Sequence, residues 1–526
     1  MRGIARALLA LFAGALAVPA FAPVGWFPLA FLSLALLVGL LERADSARAG
    51  FCLGLAWGMG AFCAGVSWLV IALSRYGGVF LPVAVLVVFL FCAFLSLYPA
   101  LAGAFYARWR RGSTLRRALF FAGLWVLVEW LRGTLFTGFP WLAIGYSQTP
   151  PSPVAGYFPI MGVYGLGGVL AFVAGLLGIC ATDQAGARAV GRWRVPAVLI
   201  ALICIGGWGL SRLQWVEPDG EPFTVSLVQT NIEQSLKWDP DFFDETLRIN
   251  ADLVHAARGD VVVLPEAALP TMLDRLPESY LDMLTGFVRE RNGALVIGVF
   301  TRDGTQYSNS AVTFGEGAGQ RYSKSHLVPF GEYSPPFFGW FYRLASIPMA
   351  QQTPGAANQP PLWLFGRKIA VNICYEDVFG AELVSSLPQA GLMLNLSNLA
   401  WYGDSFAQPQ HLQIARARAM ETGRPMLRST NTGMTALVLP DGSVPAALPA
   451  FTRGVLEVEV SAYKGLTPYA RWGDAPVLVV ALIGIVAGVG IRRREKLPVF
   501  AGEGGLQDTI RDPRRLESVL DAIDET

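Results

Sequence analysis

Charged residues are scarce in this chain of 526 residues, since Asp, Glu, Lys and Arg together make up 15% of it. A soluble globular protein carries about 25% charged residues. The hydrophobic share is 53% and the mean hydropathy is +0.44, so the composition argues against a wholly soluble protein. The 41 basic and 39 acidic residues nearly cancel, and the total charge therefore gives no indication of nucleic-acid binding.

Cysteine and histidine are also rare, at six and three residues. The cysteines have no paired spacing, which argues against a disulfide scaffold and against a zinc module. The chain has no cluster of metal-ligating residues and no glycine-rich nucleotide loop, so we predict neither a metal nor a cofactor. Five cysteines fall in apolar runs, and Cys374 alone lies outside them.

Long apolar runs are the most prominent feature of the chain. A transmembrane helix needs about 20 mostly apolar residues, and the runs predict an α-helical transmembrane bundle of about eight spans, near 4–18, 24–41, 50–73, 79–107, 116–132, 161–182, 194–212 and 474–491. Pro19 and Pro23 divide the first stretch. A cleaved signal peptide over 1–22 is the alternative there, and it is disfavoured because another apolar run follows at once.

Basic residues mark every second connection between the predicted spans. They are Arg2 and Arg6, then Arg43 and Arg48, then Arg108, Arg110, Arg111, Arg116 and Arg117, then Arg188, Arg192 and Arg194, and finally Arg492, Arg493, Arg494 and Lys496. Lys and Arg concentrate on the cytoplasmic side of a membrane. We therefore predict that both termini are cytoplasmic and that the large segment after the seventh span lies on the opposite side.

The alternation of β-rich runs and helical patterns in that segment predicts one α/β domain of about 250 residues. Helical patterns cover 242–257, 280–291 and 408–422, and β-rich runs cover 223–229, 261–264, 294–300, 311–314, 369–373, 392–396, 434–439 and 455–460. The predicted organisation is a transmembrane domain of seven helices over 1–215, the α/β domain over 220–470, a last helix over 474–491 and a tail over 492–526.

Three reactive side chains stand out in this domain, of which two follow predicted strands and the third lies in a polar run followed by an apolar turn. Cys374 opens Cys-Tyr-Glu-Asp after a strand, Glu266 follows the strand 261–264 in Leu-Pro-Glu, and Lys324 lies in Arg-Tyr-Ser-Lys-Ser-His. A thiol at a strand end is exposed and has backbone N–H groups nearby. Each residue alone has a plain alternative, namely a buried structural cysteine, a solvated turn carboxylate or a surface lysine. Together they would form a nucleophile, a base and a cationic stabiliser.

The motifs Leu-Pro-Glu266, Lys324-Ser-His-Leu-Val-Pro-Phe-Gly-Glu332 and Asn372-Ile-Cys374-Tyr-Glu376 resemble the Glu–Lys–Cys signatures of the nitrilase, or carbon–nitrogen hydrolase, superfamily. The spans on both sides narrow the resemblance to its membrane-embedded branch, the apolipoprotein N-acyltransferase family. The resemblance covers essentially the whole chain.

This resemblance implies a nitrilase-like αββα sandwich in the periplasm, on a multi-pass protein of the bacterial inner membrane. It implies ping-pong transfer of the sn-1 acyl chain of a phospholipid, typically phosphatidylethanolamine, through a thioester on Cys374. The acceptor is the N-terminal amine of diacylglyceryl-cysteine in apolipoproteins. Glu266 acts as the base, and Lys324 stabilises the oxyanion with a backbone N–H near Tyr375. The family suggests a monomer.

Further residues match the family pattern more weakly. Glu332 and Glu376 are expected to orient Lys324 and the turn at Cys374, with ordinary carboxylates as the alternative. Tyr375 contacts substrate or packs, Asn309 hydrogen-bonds within the site, Trp238 lines the substrate entrance, and His326 is structural. The aromatic stretches 335–342 and 399–402 are expected at the membrane interface, with a buried domain core as the alternative.

Two rival functions remain open at this stage. One is a membrane-anchored amidase or nitrilase with the same three residues and water as acceptor, although a single span would suffice as its anchor. The other is a transporter whose outer domain binds a ligand. Few ionisable residues lie within the spans, which argues against a transporter; the main one, Glu129, is interpreted with Arg132 as an interfacial pair at a helix end.

Overall fold

The long apolar runs fold as helices in the computed structural model, which describes residues 2–182, 191–334, 351–387 and 389–489. These helices are α1 (Arg2–Leu16), α2 (Pro28–Leu41), α3 (Ala47–Gly65), α4 (Leu81–Trp109), α5 (Thr114–Thr134), α6 (Phe158–Thr182), α7 (Gly191–Leu210) and, near the end of the described chain, α11 (Ala475–Val489). Among the described residues, six helical segments are long and apolar enough to span a membrane, and α2 and α11 are shorter apolar helices. The predicted helical bundle is confirmed.

Small residues bring the helices of this bundle close together. A Cβ atom on Gly50 of α3 would lie 2.3 Å from the carbonyl oxygen of Gly103 of α4, and one on Gly54 would lie 2.2 Å from that of Pro99. In lipid, helices associate mainly by close van der Waals packing, which small residues at the interface permit. The spacing of four residues between these glycines places both on the face of α3 that meets α4.

Within the described residues, thirteen strands follow the seventh helix and form two sheets. They are β1 (Val216–Gln229), β2 (Val261–Val263), β3 (Leu269–Met272), β4 (Ala294–Asp303), β5 (Gln306–Gly315), β6 (Arg321–Ser323), β7 (Leu362–Leu364), β8 (Arg367–Ile373), β9 (Leu392–Ser397), β10 (Met426–Thr430), β11 (Ala436–Val438), β12 (Ala446–Ala447) and β13 (Gly454–Gly465). The first sheet has the order β13-β1-β2-β4-β5-β6, with β3 beside β4, and the second has the order β12-β11-β10-β9-β8-β7.

The two sheets pack face to face and carry helices on their outer faces. Val261 and Val263 of β2 pack in one hydrophobic cluster with Leu392 and Leu394 of β9. Val262 points the other way, into a cluster with α8 (Phe243–Ala256) and α9 (Glu278–Arg289). Helix α10 (Ala407–Thr422) covers the outer face of the second sheet. A strand buried on both faces is a continuous apolar run, and the predicted αββα sandwich is confirmed.

Several short strands escape the sequence patterns. The segments β3, β6, β7 and β12 have two to four residues each, too few to show an alternation of apolar and polar residues. Strand β10 contains Arg428 between buried positions. A charged residue there hides a strand that lies at the centre of its sheet.

The aromatic stretches have different outcomes. Residues 335–342 and the tail 492–526 lie outside the described residues. In 399–402, Leu399 and Ala400 are buried, as in the alternative of a buried core, and the ring of Tyr402 lies 4.5 Å from that of Trp68. The interface location of Trp401 and Tyr402, which are half-buried, stays a prediction. These side chains pack against the helical bundle because the sheet domain meets the bundle at this point.

A loop between α5 and α6 forms much of this junction. Arg132 and Glu129 of α5 are buried and 3.9 Å apart, so the expectation of an interfacial pair is corrected. Arg132 donates a hydrogen bond to the carbonyl oxygen of Trp141 at 2.7 Å, and Glu129 accepts one from the N–H of Ile144 at 2.8 Å. The pair therefore stabilises the loop backbone that faces the sheet domain.

Candidate active site

The carboxyl ends of several strands meet at one edge of the sandwich. Strands β1, β2 and β4 are parallel, β5 is antiparallel to β4, and β6 is antiparallel to β5. Strand β6 therefore ends at the same edge as β2, which brings Lys324 towards Glu266. Cys374 follows β8 in the facing sheet. This edge is where an open α/β sheet places its ligands.

Glu266 is buried and held on both carboxylate oxygens. Asn309 donates its side-chain N–H to Oε1 at 2.8 Å, and the backbone N–H of Asn398 donates to Oε2 at 2.7 Å. The Nζ atom of Lys324 lies 3.5 Å from Oε1. Asn309 follows the sequence expectation of a hydrogen bond within the site.

Lys324 is 1% exposed and lies between two carboxylates. Its Nζ atom is 2.6 Å from Oε1 of Glu332, whose Oε2 accepts the N–H of Val328 at 2.8 Å. Burial opposes the charge of Lys324, but Glu332 and Glu266 together hold the pKa of its ammonium group well above the ordinary value. Lys324 is therefore a permanent cation at neutral pH.

Cys374 occupies a strained turn directly after β8. Its φ angle is 54°, in the left-handed region that costs a non-glycine residue about 1–3 kcal/mol. Asn395 of β9 donates to the carbonyl oxygen of Cys374 at 3.3 Å. Burial and the charge of Glu266 raise the pKa of the thiol well above its ordinary value, while Lys324 opposes them. The resting sulfur is therefore a thiol that needs a base.

Glu376 fixes this turn against the loop that carries Lys324. Its carboxylate accepts the backbone N–H groups of Ser325, His326 and Ile373 at 2.7, 3.0 and 2.6 Å. The hydroxyl of Tyr322 donates to it at 3.0 Å. Burial raises the pKa of Glu376, and these hydrogen bonds to its carboxylate oppose the shift. One buried carboxylate thus ties together the two segments that bear Cys374 and Lys324.

Tyr375 connects the catalytic turn to the helical bundle. Its hydroxyl donates to the carbonyl oxygen of Gly138 at 3.1 Å, and its ring centre is 6.5 Å from that of Phe139. His326 stacks on Phe379 at 3.7 Å, in a packing role. Trp238 is half-buried, with its ring 5.8 Å from that of Phe300.

Sequence reasoning missed two residues of this site. Asn398 follows β9, and the rule that strand ends converge could have found it. Lys237 is buried, and its Nζ atom donates to the backbone carbonyl oxygen of Glu266 at 3.1 Å. It precedes Trp238 on a single helical turn, where a lysine is ordinarily exposed, so nothing in the sequence signals its burial.

A buried ionic cluster behind the turn was missed as well. Asp377 lies 2.6 Å from Nε2 of His411 and 2.9 Å from a guanidinium nitrogen of Arg428. Within residues 2–182, 191–334, 351–387 and 389–489, no group of three or more His, Cys, Asp or Glu side chains is placed to hold a metal ion.

The four-layer fold and the convergence of Glu, Lys and Cys are those expected of a domain of the carbon–nitrogen hydrolase class. The family model for carbon–nitrogen hydrolases matches residues 224–469. The amidase from Nesterenkonia sp. AN1 is a solved structure with 21% identity and a TM-score of 0.37, and the match covers 49% of this chain and 97% of the amidase.

The helical part narrows the class to one family. The model of the apolipoprotein N-acyltransferase N-terminal domain matches residues 13–176. The apolipoprotein N-acyltransferase of Nitrosomonas europaea is 42% identical over 507 residues, which are 95% of this chain and 99% of the relative. That of Chromobacterium violaceum is 42% identical over 501 residues, with 94% and 96% covered.

The chain belongs to the apolipoprotein N-acyltransferase family. The predictions of an acyltransferase of lipoprotein maturation with a nitrilase-type domain are thereby confirmed. The prediction of a multi-pass protein of the inner membrane is also confirmed.

Proposed function

We propose that Cys374, Glu266 and Lys324 transfer the sn-1 acyl chain of a phospholipid to the N-terminal amine of diacylglyceryl-cysteine in apolipoproteins. One observation carries the assignment of residues. The only cysteine outside the apolar runs of the sequence lies in a strained turn, beside a buried carboxylate and a buried ammonium group that interact with it electrostatically. This arrangement is that of an activated nucleophile.

The first half-reaction forms a thioester. Glu266 accepts the proton of the Cys374 thiol, and the sulfur electron pair forms a bond to the ester carbonyl carbon while the C=O π pair moves to oxygen. Lys324 and a backbone N–H near Tyr375 stabilise that oxyanion. Collapse of the intermediate breaks the bond to the glycerol oxygen, which takes the proton from Glu266 and leaves as lysophospholipid.

The second half-reaction forms the amide. The neutral α-amino group of the acceptor attacks the thioester carbonyl carbon, and Glu266 accepts the amine proton. Collapse breaks the C–S bond, and the proton passes from Glu266 to the sulfur of Cys374. An α-amino group with an ordinary pKa of about 7.7–8.0 has a usable neutral fraction near pH 7. The thioester stores the reactivity of the acyl group, so no nucleotide is consumed.

The remaining predicted residues have supporting roles in this proposal. Glu332 orients Lys324 through the contact of 2.6 Å, and Asn309 orients Glu266 through the contact of 2.8 Å. Glu376 holds the turn at Cys374, and Tyr375 anchors it to the bundle. Trp238, which is half-buried, lies at the substrate entrance in this proposal.

The orientation in the membrane is part of the proposal. Arg6 donates to the carbonyl oxygen of Arg43 at 3.0 Å, and Arg110 donates to that of Ala44 at 2.8 Å. The basic stretches at the N-terminus, after α2 and after α4 therefore share one end of the bundle, and Arg116 donates to the carbonyl oxygen of Ala487 near the end of α11 at 2.7 Å. This supports a cytoplasmic location for that end and for both termini. The sheet domain then lies in the periplasm.

The finer assignments follow the family resemblance. The proposed division is a transmembrane domain over 1–215, a periplasmic catalytic domain over 220–470, a last span over 474–491 and a cytoplasmic tail over 492–526. We propose phosphatidylethanolamine as the donor and a monomer as the functional state.

Intact-mass spectrometry of the acyl-enzyme tests the proposal. With phospholipid and no acceptor, the wild-type protein should gain one hydroxylamine-labile acyl group on Cys374. A diacylglyceryl-cysteine peptide should then discharge it into an amide. Cys374→Ala should abolish both steps, and Glu266→Gln should slow acylation severely. Cys52→Ala is the matched control, since this exposed thiol lies on α3, and it should behave as wild type.

Two outcomes would contradict the proposal. An adduct on another cysteine, or full transfer by the Cys374→Ala protein, would show that Cys374 is not the nucleophile. Discharge to water as fast as to the peptide would favour the hydrolase alternative.

A further inference from the structure

A second buried lysine lies beside the proposed base. Lys237 is 2% exposed and closes the helical turn Gln234–Lys237. Its Nζ atom donates to the main-chain carbonyl oxygen of Glu266 at 3.1 Å. A buried ammonium group is costly unless nearby negative charge or hydrogen bonds compensate it. The position of Lys237 against Glu266 therefore calls for an explanation.

The surroundings of Lys237 differ from those of Lys324. Lys324 is 2.6 Å from Glu332 and 3.5 Å from Glu266, so most of its charge is neutralised by direct ion pairs. Lys237 forms no salt bridge within the described part of the chain, and the negative groups that act on it are Glu266 and Cys374. The positive charge of Lys237 therefore acts on Glu266 and Cys374, the two groups between which the proton is transferred.

Counting charges shows what this cation contributes. Among the charges that act on the Cys374 thiol, the buried carboxylates Glu266 and Glu332 contribute two negative charges and Lys324 contributes one positive charge. Glu376 is left out of this count because backbone N–H groups of Ser325, His326 and Ile373 solvate its carboxylate. Lys237 brings the counted set to neutrality while Cys374 is a thiol. Without Lys237, these buried groups would carry a net charge of −1, which favours the binding of a further proton. A proton bound to Glu266 would prevent Glu266 from acting as the base.

We propose that Lys237 is a positioning residue of this active site, whose ammonium group keeps the Glu266–Cys374 pair singly protonated so that Glu266 can accept the proton of the thiol. The inference rests on the proposed roles of Glu266 and Cys374. In this inference Lys237 keeps the base Glu266 ionised, and Lys324 stabilises the oxyanion.

The titration of Lys237 itself is compatible with this role. Burial lowers the pKa of its ammonium group to about 8, and the charges of Glu266 and Cys374 oppose that shift. Lys237 is therefore charged at neutral pH and loses its charge as the pH rises through about 8. The other ionisable groups that act on the pair are Lys324, Glu332, Tyr402, His411 and Arg428.

The pH dependence of Cys374 alkylation tests the proposal in the full-length protein without substrate. Iodoacetamide labelling between pH 5.5 and 9.5 is followed at Cys374 by peptide mass spectrometry. Lys237→Met should slow the labelling of Cys374 at pH 7 by ~10-fold or more, because Lys237 is charged at that pH. The difference from wild type should narrow above a pH of about 8, where Lys237 loses its charge. Lys237→Arg, which keeps the charge, should stay within about threefold of wild type, by the same charge argument.

Lys464→Met is the matched control, because Lys464 is exposed and pairs with Glu217 on the first sheet. It should label as wild type. Lys237→Gln keeps a donor for the Glu266 carbonyl oxygen and should label like Lys237→Met, which separates the charge from the hydrogen bond. A thermal melt of each variant reports folding.

Two results would overturn the proposal. The first is a Lys237→Met protein that melts at a lower temperature yet labels with the wild-type pH profile. The second is failure of the Met, Gln and Arg variants to fold while Lys464→Met folds, which would assign Lys237 to folding alone. Iodoacetamide labelling requires no phospholipid, so a wild-type protein that forms no acyl-enzyme would contradict the proposed function without deciding the role of Lys237.

Discussion

The helical bundle and the sheet domain both bury charged side chains, but they use them differently. In the bundle, Arg132 and Glu129 direct their polar atoms at the backbone of the loop that follows α5. In the sheet domain, the charged groups of Glu266 and Lys324 lie 3.5 Å apart, and both act electrostatically on Cys374. The charged groups of the bundle fix the backbone of a loop, whereas those of the sheet domain are free to act in the proposed acyl transfer.

This difference shows how the bundle takes part in the active site. The loop after α5 contains Phe136, Thr137 and Leu142 with φ angles of 56°, 71° and 58°. Such strain persists only where the surroundings over-determine the backbone, and Arg132 and Glu129 supply the necessary bonds. The loop in turn accepts the hydroxyl of Tyr375 through the carbonyl oxygen of Gly138. The bundle thus also holds the turn that carries Cys374 in the proposed site.

The largest effect should follow from removing charge in the sheet domain. Lys324→Met keeps much of the side-chain stem but leaves the oxyanion without its cation, and acyl transfer should fall by ~10²-fold or more. The rate of acyl-enzyme formation from phospholipid, measured by intact mass, checks this.

Lys464→Met is the control for that substitution, since it removes a lysine from the exposed surface of the same domain. It should retain wild-type turnover. Near-normal acylation by a well-folded Lys324→Met protein would remove Lys324 from the reaction and with it the contrast between the two regions.

Much of the fold and of the candidate site could be predicted from the sequence. Apolar length alone predicts the spans, because a membrane admits few alternatives to a helix. Cys374 and Glu266 were accessible because each follows a strand that the sequence pattern predicts, at the end where an α/β sheet places its ligands. Lys324 follows β6, a strand too short for the pattern to show, so Lys324 was found from its motif. The motif resemblance added the order and the roles of the three residues.

The remainder depends on contacts between segments distant in sequence. Lys237 and Glu266 are brought together by the packing of a helical turn on the sheet edge, which no local pattern encodes. The burial of Arg132 and Glu129 depends on the loop they support, so an interfacial pair was the reasonable expectation from a charged helix end. The role of Asp377 was missed because its partners His411 and Arg428 lie on later elements.

A smaller effect should follow from cutting the link between the two regions. Tyr375→Phe removes one hydrogen bond to Gly138 and leaves the ring in place. Such a bond contributes about 0.5–1.5 kcal/mol, so acylation should slow by about twofold to tenfold as the turn at Cys374 gains freedom. Acyl-enzyme formation at saturating phospholipid is the measurement.

Tyr280→Phe provides the matched comparison, because its hydroxyl donates to the carbonyl oxygen of Leu247 at 2.8 Å between α8 and α9, away from the site. It should lower the melting temperature to a similar degree without slowing acylation. Equal slowing in both variants would mean that the bond to Gly138 stabilises the fold and has no particular effect on the turn.

The smallest effect concerns a charge at the junction itself, and it should appear in stability. Glu421 of α10 lies 2.9 Å from Arg418 and accepts the N–H of Val163 of α6 at 2.6 Å. Burial raises the pKa of Glu421 to about 7, and Arg418 opposes the shift. In an unfolded chain a glutamate has a pKa of about 4.3. Between these two pKa values the folded state retains a proton that the unfolded state has released, so stability falls as the pH rises towards 7 and changes little beyond it.

Glu421→Gln removes this titration while keeping the shape of the side chain. The wild-type melting temperature should therefore fall by a few degrees more than that of the variant between pH 5 and pH 7.5. Leaving Arg418 without its partner lowers the stability of the variant by an amount that does not depend on pH in this range, so only the difference in slope is informative. The exposed Glu245→Gln, whose partner Arg248 lies on the surface of α8, should show the wild-type slope. Parallel curves for wild type and Glu421→Gln would mean that Glu421 is ionised throughout, and that its charge belongs with the backbone-fixing pairs of the bundle.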